Sequence, residues 1–134
     1  MGLDVGRVVI GLAISDPHLK VASPLAGLPR KGFTPALVKL IQERNVGGLV
    51  VGLPKNMDGT EGKSSQSVRG FVYNLVWQGM RLPVAFWDER LSTAAIERAM
   101  IAGDLSRQKR LAHVDKAAAA YILQGALDSF RIQT

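Results

Sequence analysis

Residues Gly2–Ile14 read GLDVGRVVIGLAI, and this opening segment decides the fold. Leu3–Val5 is predicted to form a short strand, and Val8–Ile14 is a longer β-branched, apolar strand that ends at Ser15–Pro17. Gly6 lies at the turn between the two strands. The segment therefore predicts an antiparallel hairpin at the start of the chain.

The rest of the chain alternates helical and strand patterns. The predicted elements are a third strand near Leu25–Leu28, a helix capped by Thr34 and ending near Arg44, a strand at Val46–Pro54, a helix at Ser64–Met80, a strand at Pro83–Trp87, a helix from Ser92 to about Ala102, a basic loop at Gly103–His113, and a last helix from about Val114 to Phe130. A hairpin followed by βαβ units implies an α/β fold with a mixed, five-stranded sheet flanked by helices.

Composition limits the class of protein. The 134 residues are 47% hydrophobic, which predicts one domain over residues 1–134 with a real core. The absence of cysteine excludes disulfide frameworks, thiolate zinc sites and cysteine nucleophiles. No apolar run approaches the ~18 residues of a membrane span, and the start does not resemble a secretory signal. We therefore expect a soluble, cytoplasmic protein without a membrane partner.

The charge balance points to an anionic partner. Lys and Arg number 17 against 11 Asp and Glu, which gives a net charge of +6 and a pI of about 10.1. Such a surface favours nucleic acid, although many proteins are basic without a specific reason. Trp77, Phe86 and Trp87 occupy positions typical of a core, and stacking on bases is the alternative.

Carboxylates at strand ends and helix starts are the candidate catalytic groups. Asp4 lies within an apolar strand, where burial of a lone carboxylate is costly unless it is paired or binds a metal; capping the Gly6 turn is the alternative. Asp88 and Glu89 both end a strand, and strand alternation alone does not choose between them. Asp115 begins the last helix, where the helix dipole also favours an acid.

Three carboxylates that converge need a cation to offset their repulsion. With no cysteine and two histidines, the ligands would be oxygens, which suit Mg²⁺ or Mn²⁺. Carboxylates holding two such ions cleave phosphodiester bonds in many enzymes.

Two further segments could contact phosphates. Gly62-Lys63-Ser64 lies between a strand and a helix, but an ATP-binding P-loop would need glycine where Met57 stands. Backbone amides at this helix start could still hold a phosphate of a nucleic-acid strand. The basic run Arg107–Arg110 could neutralise phosphates, although such a run is often only a solvated loop.

Four motifs resemble the RuvX (YqgF) family of pre-16S rRNA nucleases and Holliday junction resolvase-like proteins. They are Gly2–Gly6 continuing through Ile10–Asp16, then Val51–Gly62, Asp88–Thr93, and Val114–Ala118 continuing through Ile122–Gln124. They follow the family's order over nearly the whole chain. One departure is the hairpin tip, where Arg7-Val8-Val9 replaces a more basic segment.

The resemblance implies an RNase H-like fold and a metal-dependent nuclease for structured nucleic acid. The substrates it implies are precursor 16S rRNA, processed at its 5′ end, or branched DNA junctions. It selects Asp4, Glu89 and Asp115 as catalytic and metal-binding residues, with two Mg²⁺ or Mn²⁺ ions. The residues predicted to bind nucleic acid are Arg7, Lys55, Asn56, Lys63, Arg90, Arg107, Lys109 and Arg110.

Two other functions are alternatives. One is a nucleic-acid-binding processing factor with weak cleavage, which would bind tightly in EDTA and cut nothing. The other is a sugar-kinase-like or actin-like ATPase lobe, which measurable ATP binding would favour. Junction resolution would also favour a two-fold homodimer.

Overall fold

The computed structural model describes the backbone of residues 1–91 and 107–133, and the side chains of residues 1–90 and 117–130. Its described elements are β1 (Gly2–Val5), β2 (Val9–Ser15), β3 (Ala22–Pro29), α1 (Thr34–Glu43), β4 (Leu49–Leu53), α2 (Lys63–Trp77), β5 (Val84–Asp88), a 3-10 turn (Glu89–Leu91) and α3 (Arg107–Gln133). The helix predicted from Ser92 to about Ala102 lies outside the described residues.

The five strands form one mixed sheet in the order β3-β2-β1-β4-β5. β1 pairs antiparallel with β2, with Asp4 opposite Gly11. β1 also pairs parallel with β4, and β4 pairs parallel with β5. The predicted α/β fold, with its opening hairpin and mixed five-stranded sheet, is confirmed.

Strand alternation sends side chains to two separate packing layers. Leu3, Ile10, Leu12 and Val51 point into the larger core, which α1 and α2 cover. The α2 residues buried in this core are Val68, Phe71, Val72 and Leu75.

The opposite face of the sheet packs against α3 through small residues. A methyl group added at Gly2 would lie 2.8 Å from the Ala119 carbonyl oxygen and from Leu123 Cβ. Ala13, Ala119, Leu123 and Leu127 are buried together on this side. Glycine and alanine therefore let the long helix lie close to the strands that carry the candidate carboxylates.

Both α1 and α2 end in the Schellman pattern, which fixes their last residues. After α1, Asn45 has a φ of 50° and the Val46 amide donates to the Ile41 carbonyl. The predicted strand at Val46–Pro54 consequently begins only at Leu49. After α2, Gly79 has a φ of 106° and ends the helix at Trp77, before the predicted Met80.

Three further predictions differ from the structure. The N-cap of α1 is Phe33, so Thr34 is already helical. Residues 107–113, predicted as loop, lie within α3 and are helical. Trp77 and Phe86, both predicted in core-like positions, are 90% and 36% exposed, whereas Trp87 is half-buried.

Candidate active site

A cleft of about 420 Å³ lies where β1, β4, α2 and the turn after β5 meet. Two of the predicted catalytic residues, Asp4 and Glu89, line it together. Three cationic side chains line the same cleft: Arg7, Arg30 and Lys63. The cleft therefore combines two carboxylates with three positive charges, which suits a substrate that carries phosphates.

Asp4 reaches the cleft because of its place in the hairpin. A methyl group added at its strand partner Gly11 would lie 3.4 Å from Asp4 Cβ and 3.7 Å from Ala119 Cβ. Asp4 thus lies on the face of the sheet that α3 covers. Its side chain is only half-buried, so the strand presents a carboxylate to the cleft without enclosing it fully in the core.

Glu89 is the first residue of the 3-10 turn after β5, and its side chain passes over Gly52. A methyl group added at Gly52 would lie 2.7 Å from Glu89 Oε1 and 2.6 Å from Ile122 Cδ1. Only glycine at this point of β4 leaves room for the Glu89 side chain. The neighbouring strand residue therefore makes the space that the carboxylate occupies.

Asp88 points elsewhere. Its carboxylate accepts hydrogen bonds from the Arg90 guanidinium, at 2.6 Å from Nη2 to Oδ2. These hydrogen bonds lower the pKa of Asp88 below its usual value. Arg90 Nη1 also donates to the Met57 carbonyl at 3.2 Å, which ties the turn after β5 to the loop after β4.

The loop between β4 and α2 is held by its own polar side chains. Asn56 Nδ2 donates to Thr60 Oγ1 at 2.9 Å, and Thr60 Oγ1 donates to Asp58 Oδ1 at 2.6 Å. The Thr60 hydrogen bonds lower the pKa of Asp58. The fully buried Ser65 donates its hydroxyl to the Pro54 carbonyl, which fixes the first turn of α2 against the end of β4.

The N-terminus of α2 faces the cleft. Lys63 and Ser64 line it, and the first turn of the helix contains no acidic residue. The first amide N–H groups of a helix have no acceptor within the helix, and the helix dipole favours an anion there. This end of the cleft can therefore hold a phosphate oxygen.

The sequence matches a known protein family over nearly its whole length. The sequence profile of the family described as RuvX, Holliday junction resolvase, matches residues 1–129. The chain belongs to the RuvX family. The family resemblance of the four sequence motifs is thus confirmed, and with it the RNase H-like fold.

Relatives of this RuvX chain match it over almost its whole length. A protein of Chelativorans sp. is 58% identical over 131 residues, 95% of this chain and 81% of the relative. One of Roseobacter denitrificans is 52% identical over 136 residues, 98% of this chain and 83% of the relative. One of Paracoccus denitrificans is 53% identical over 133 residues, 97% of this chain and 84% of the relative. Each of these relatives is named "Putative pre-16S rRNA nuclease".

The other predicted site residues of the RuvX chain are distributed differently. The Asn56 side chain hydrogen-bonds to Thr60 within the loop after β4, and the Arg90 side chain hydrogen-bonds to Asp88. Lys55 lies in that same loop, outside the lining of the cleft. The backbone of Asp115 lies in α3, and its side chain is outside the described part of the chain, as are the side chains of Arg107, Lys109 and Arg110.

Arg30 is a cleft residue that the sequence analysis missed. It directly follows β3, and its guanidinium donates to the Gly6 carbonyl at 3.1 Å and to Ser67 Oγ at 3.1 Å. It also lies over the Phe71 ring, 5.8 Å from the centroid. A lone arginine after a strand carries no motif, so only the pairing of β3 with β2 brings it beside the turn of the hairpin.

None of the helices in the described ranges combines the length and apolarity needed to cross a bilayer. Within those same ranges, no group of three or more His, Cys, Asp or Glu side chains is close enough to hold a metal ion. Asp4 and Glu89 are the two carboxylates that line the described cleft.

Proposed function

We propose that this RuvX protein is a divalent-metal-dependent nuclease that cleaves phosphodiester bonds in structured nucleic acid, acting at the 5′ end of precursor 16S rRNA. The observation that carries the proposal is the cleft in which Asp4 and Glu89 lie together with three cations. The names of relatives that cover 95–98% of the chain support the choice of substrate. Residues 1–134 form one nuclease domain in this proposal.

The donor set of the cleft fits hard divalent cations. Carboxylate oxygens are the ligands that Mg²⁺ and Mn²⁺ prefer, and Gly52 leaves the room over β4 in which the Glu89 carboxylate itself lies. Asp4, Glu89 and Asp115 are the residues that would hold two such ions. The backbone of Asp115 belongs to α3, the helix that covers the sheet face on which Asp4 lies. Two bound ions would supply an activated water and stabilisation of the leaving oxygen.

The cationic residues of the cleft bind and orient the strand in this proposal. Lys63 and the first amides of α2 hold one phosphate, and Arg7 at the turn of the hairpin contacts a neighbouring one. Arg30 positions both elements, because it bonds the Gly6 carbonyl and Ser67 at once. Further contacts to nucleic acid are proposed for Lys55, Asn56, Arg90, Arg107, Lys109 and Arg110.

A four-way DNA junction is the second candidate substrate, favoured by the description of the matching family. Symmetric cleavage of a junction needs two active sites related by a two-fold axis. A homodimer is accordingly proposed only for this second substrate.

The test compares precursor 16S rRNA, single-stranded DNA and a four-way junction in Mg²⁺, Mn²⁺ and EDTA. Asp4→Asn is expected to stay folded and to lose cleavage by roughly 10²-fold or more, a loss typical of removing one group that stabilises developing charge. The matched control is Asp16→Asn, since Asp16 accepts hydrogen bonds from the Lys20 and Val21 amides in the loop after β2. The control lies five residues beyond Gly11, about 17 Å along the strand direction.

Wild-type cleavage rates in Asp4→Asn would refute the proposed site. Tight binding in EDTA without cleavage in either metal would support a binding factor in place of a nuclease. Cleavage of the junction but not of the precursor would make the second substrate the correct one.

A further inference from the structure

The outer face of α2 forms an exposed path that starts at the cleft. Lys63, Gly70 and Trp77 are spaced by seven residues, which places successive members about 20° apart around a helix. Ser67 and Asn74 lie on the same side, and all five residues are exposed. We call these five residues the α2 strip. Lys63 and Ser67 line the cleft, so one end of the strip opens directly into it.

The far end of the strip is an aromatic groove. A depression of about 520 Å³ there is lined by Tyr73, Asn74, Val76, Trp77 and Arg81. Trp77 is 90% exposed and Tyr73 is 71% exposed. Side chains four apart on a helix are neighbours, so two large rings present their surfaces side by side. Their exposed faces offer a surface on which planar groups can stack.

Charge selects the class of partner. Helix α2 (KSSQSVRGFVYNLVW) contains no acidic residue, and Lys63 and Arg81 stand at the two ends of the path. Arg69 forms an ion pair with Glu61, with 2.6 Å between Arg69 Nε and Glu61 Oε1. Its positive charge is therefore already balanced and is not counted with Lys63 and Arg81. A methyl group added at Gly70 would meet no atom within 4 Å, so the middle of the path is open. Positive ends, aromatic faces and a helix without acidic residues match a single-stranded polyanion with bases.

We propose that the α2 strip guides a single strand of the nucleic-acid substrate from the cleft to the groove, where bases stack on Trp77 and Tyr73. This inference rests on the proposed nuclease function, because it names where the strand beyond the cut lies. The 14 steps from Lys63 to Trp77 span about 21 Å at about 1.5 Å per residue. At the ~3.4 Å per phosphate of a stacked strand, that length corresponds to about six nucleotides.

The test measures binding without catalysis, so that it does not depend on cleavage. Fluorescein-labelled single-stranded RNA of 12 or 4 nucleotides is titrated with protein in EDTA, and anisotropy gives the Kd. Trp77→Ala is expected to weaken binding of the 12-mer about tenfold, the effect of losing one base–aromatic stack. Tyr73→Ala is expected to act in the same direction. The control is Phe130→Ala, which removes a ring that is 67% exposed on α3.

The length dependence sharpens the test. The 12-mer can span the strip and the 4-mer cannot, so the advantage of the 12-mer in Kd should shrink about tenfold in Trp77→Ala. An equal Kd for the 12-mer in wild type, Trp77→Ala and Tyr73→Ala would overturn the inference. A wild-type dimer that Trp77→Ala converts to monomer in the absence of RNA, measured by sedimentation, would also overturn it in favour of self-association. Cleavage by Asp4→Asn tests the catalytic carboxylates, whereas the Kd values in EDTA test the α2 strip, so each can fail without the other.

Discussion

Replacing Gly52 with alanine tests how β4 makes room for Glu89. The added methyl group would lie 2.6 Å from Ile122 Cδ1 and 2.7 Å from Glu89 Oε1, whereas non-bonded atoms prefer about 3.5–4.0 Å. Both side chains must therefore move by about 1 Å. Ile122 is only 1% exposed and packs in the interior. Overpacking of this kind costs about 1–3 kcal/mol, and the stiffer unfolded chain returns about 0.4–1 kcal/mol. We expect a net loss of about 1–2 kcal/mol in the free energy of unfolding.

Two assays separate the consequences for the two side chains. Urea unfolding measures the loss of stability, and cleavage of precursor rRNA in Mg²⁺ measures the displacement of Glu89. A shift of about 1 Å in a catalytic group can reduce activity by about 10²-fold. Adding Ile122→Val deletes Cδ1, so the double variant should lose less stability than the sum of the two single variants. Its activity should remain low, because the Glu89 carboxylate is still displaced.

Gly47→Ala is the matched control, since a methyl group added at Gly47 meets no atom within 4 Å. This variant should keep the stability and activity of the wild type. If Gly52→Ala behaves like Gly47→Ala in both assays, Glu89 does not lie over β4 and the geometry of the proposed site is wrong.

Three further predictions concern the supports of the site. Ser65→Ala removes the buried hydroxyl that donates to the carbonyl of the proline after β4. It should lower the free energy of unfolding, measured in urea, by about 1–3 kcal/mol. The control Ser64→Ala, at an exposed position, should leave that free energy unchanged. Gln124→Ala removes hydrogen bonds of 2.9 Å between α3 and the backbone at the start of β3, and should lower the free energy of unfolding by about 1 kcal/mol per bond; an unchanged value would contradict the docking of α3. The lowered pKa of Asp88 means that its pairing with Arg90 stabilises the fold above about pH 4 and is lost as the pH falls through the lowered value. In Arg90→Ala, the free energy of unfolding should therefore fall less steeply than in the wild type as the pH is lowered below about 4. Parallel pH curves for the two proteins would refute this.

The sheet could be predicted from the sequence because its strands carry clear local signals. The β-branched run of β2 and the glycine turn before it can each be recognised from a few adjacent residues. The ends of the helices were harder. Asn45 and Gly79 close Schellman caps through a positive φ. Because apolar residues continue after each cap, the sequence pattern does not show where the helix ends. The helical conformation of Arg107–Arg110 was missed because this run has good helix formers but no apolar periodicity.

The candidate site was only partly predictable, because its members meet through the topology. Strand alternation could not choose between Asp88 and Glu89, and the 3-10 turn places Glu89 in the cleft while Arg90 engages Asp88. Trp77 was misplaced because an aromatic residue near an apolar stripe looks the same in sequence whether it faces the core or solvent. Its position on the exposed side of α2 became visible only with the packing of the helix.

The most direct test of the account is to locate a divalent ion in the cleft. Crystals of the wild type and of Asp4→Asn would be soaked in Mn²⁺ and measured at the manganese absorption edge. The account predicts anomalous peaks within coordination distance of the Asp4 and Glu89 carboxylates in the wild type, and their loss in the variant. Peaks only at other acidic residues, or equal peaks in both crystals, would contradict a metal centre built on these two side chains.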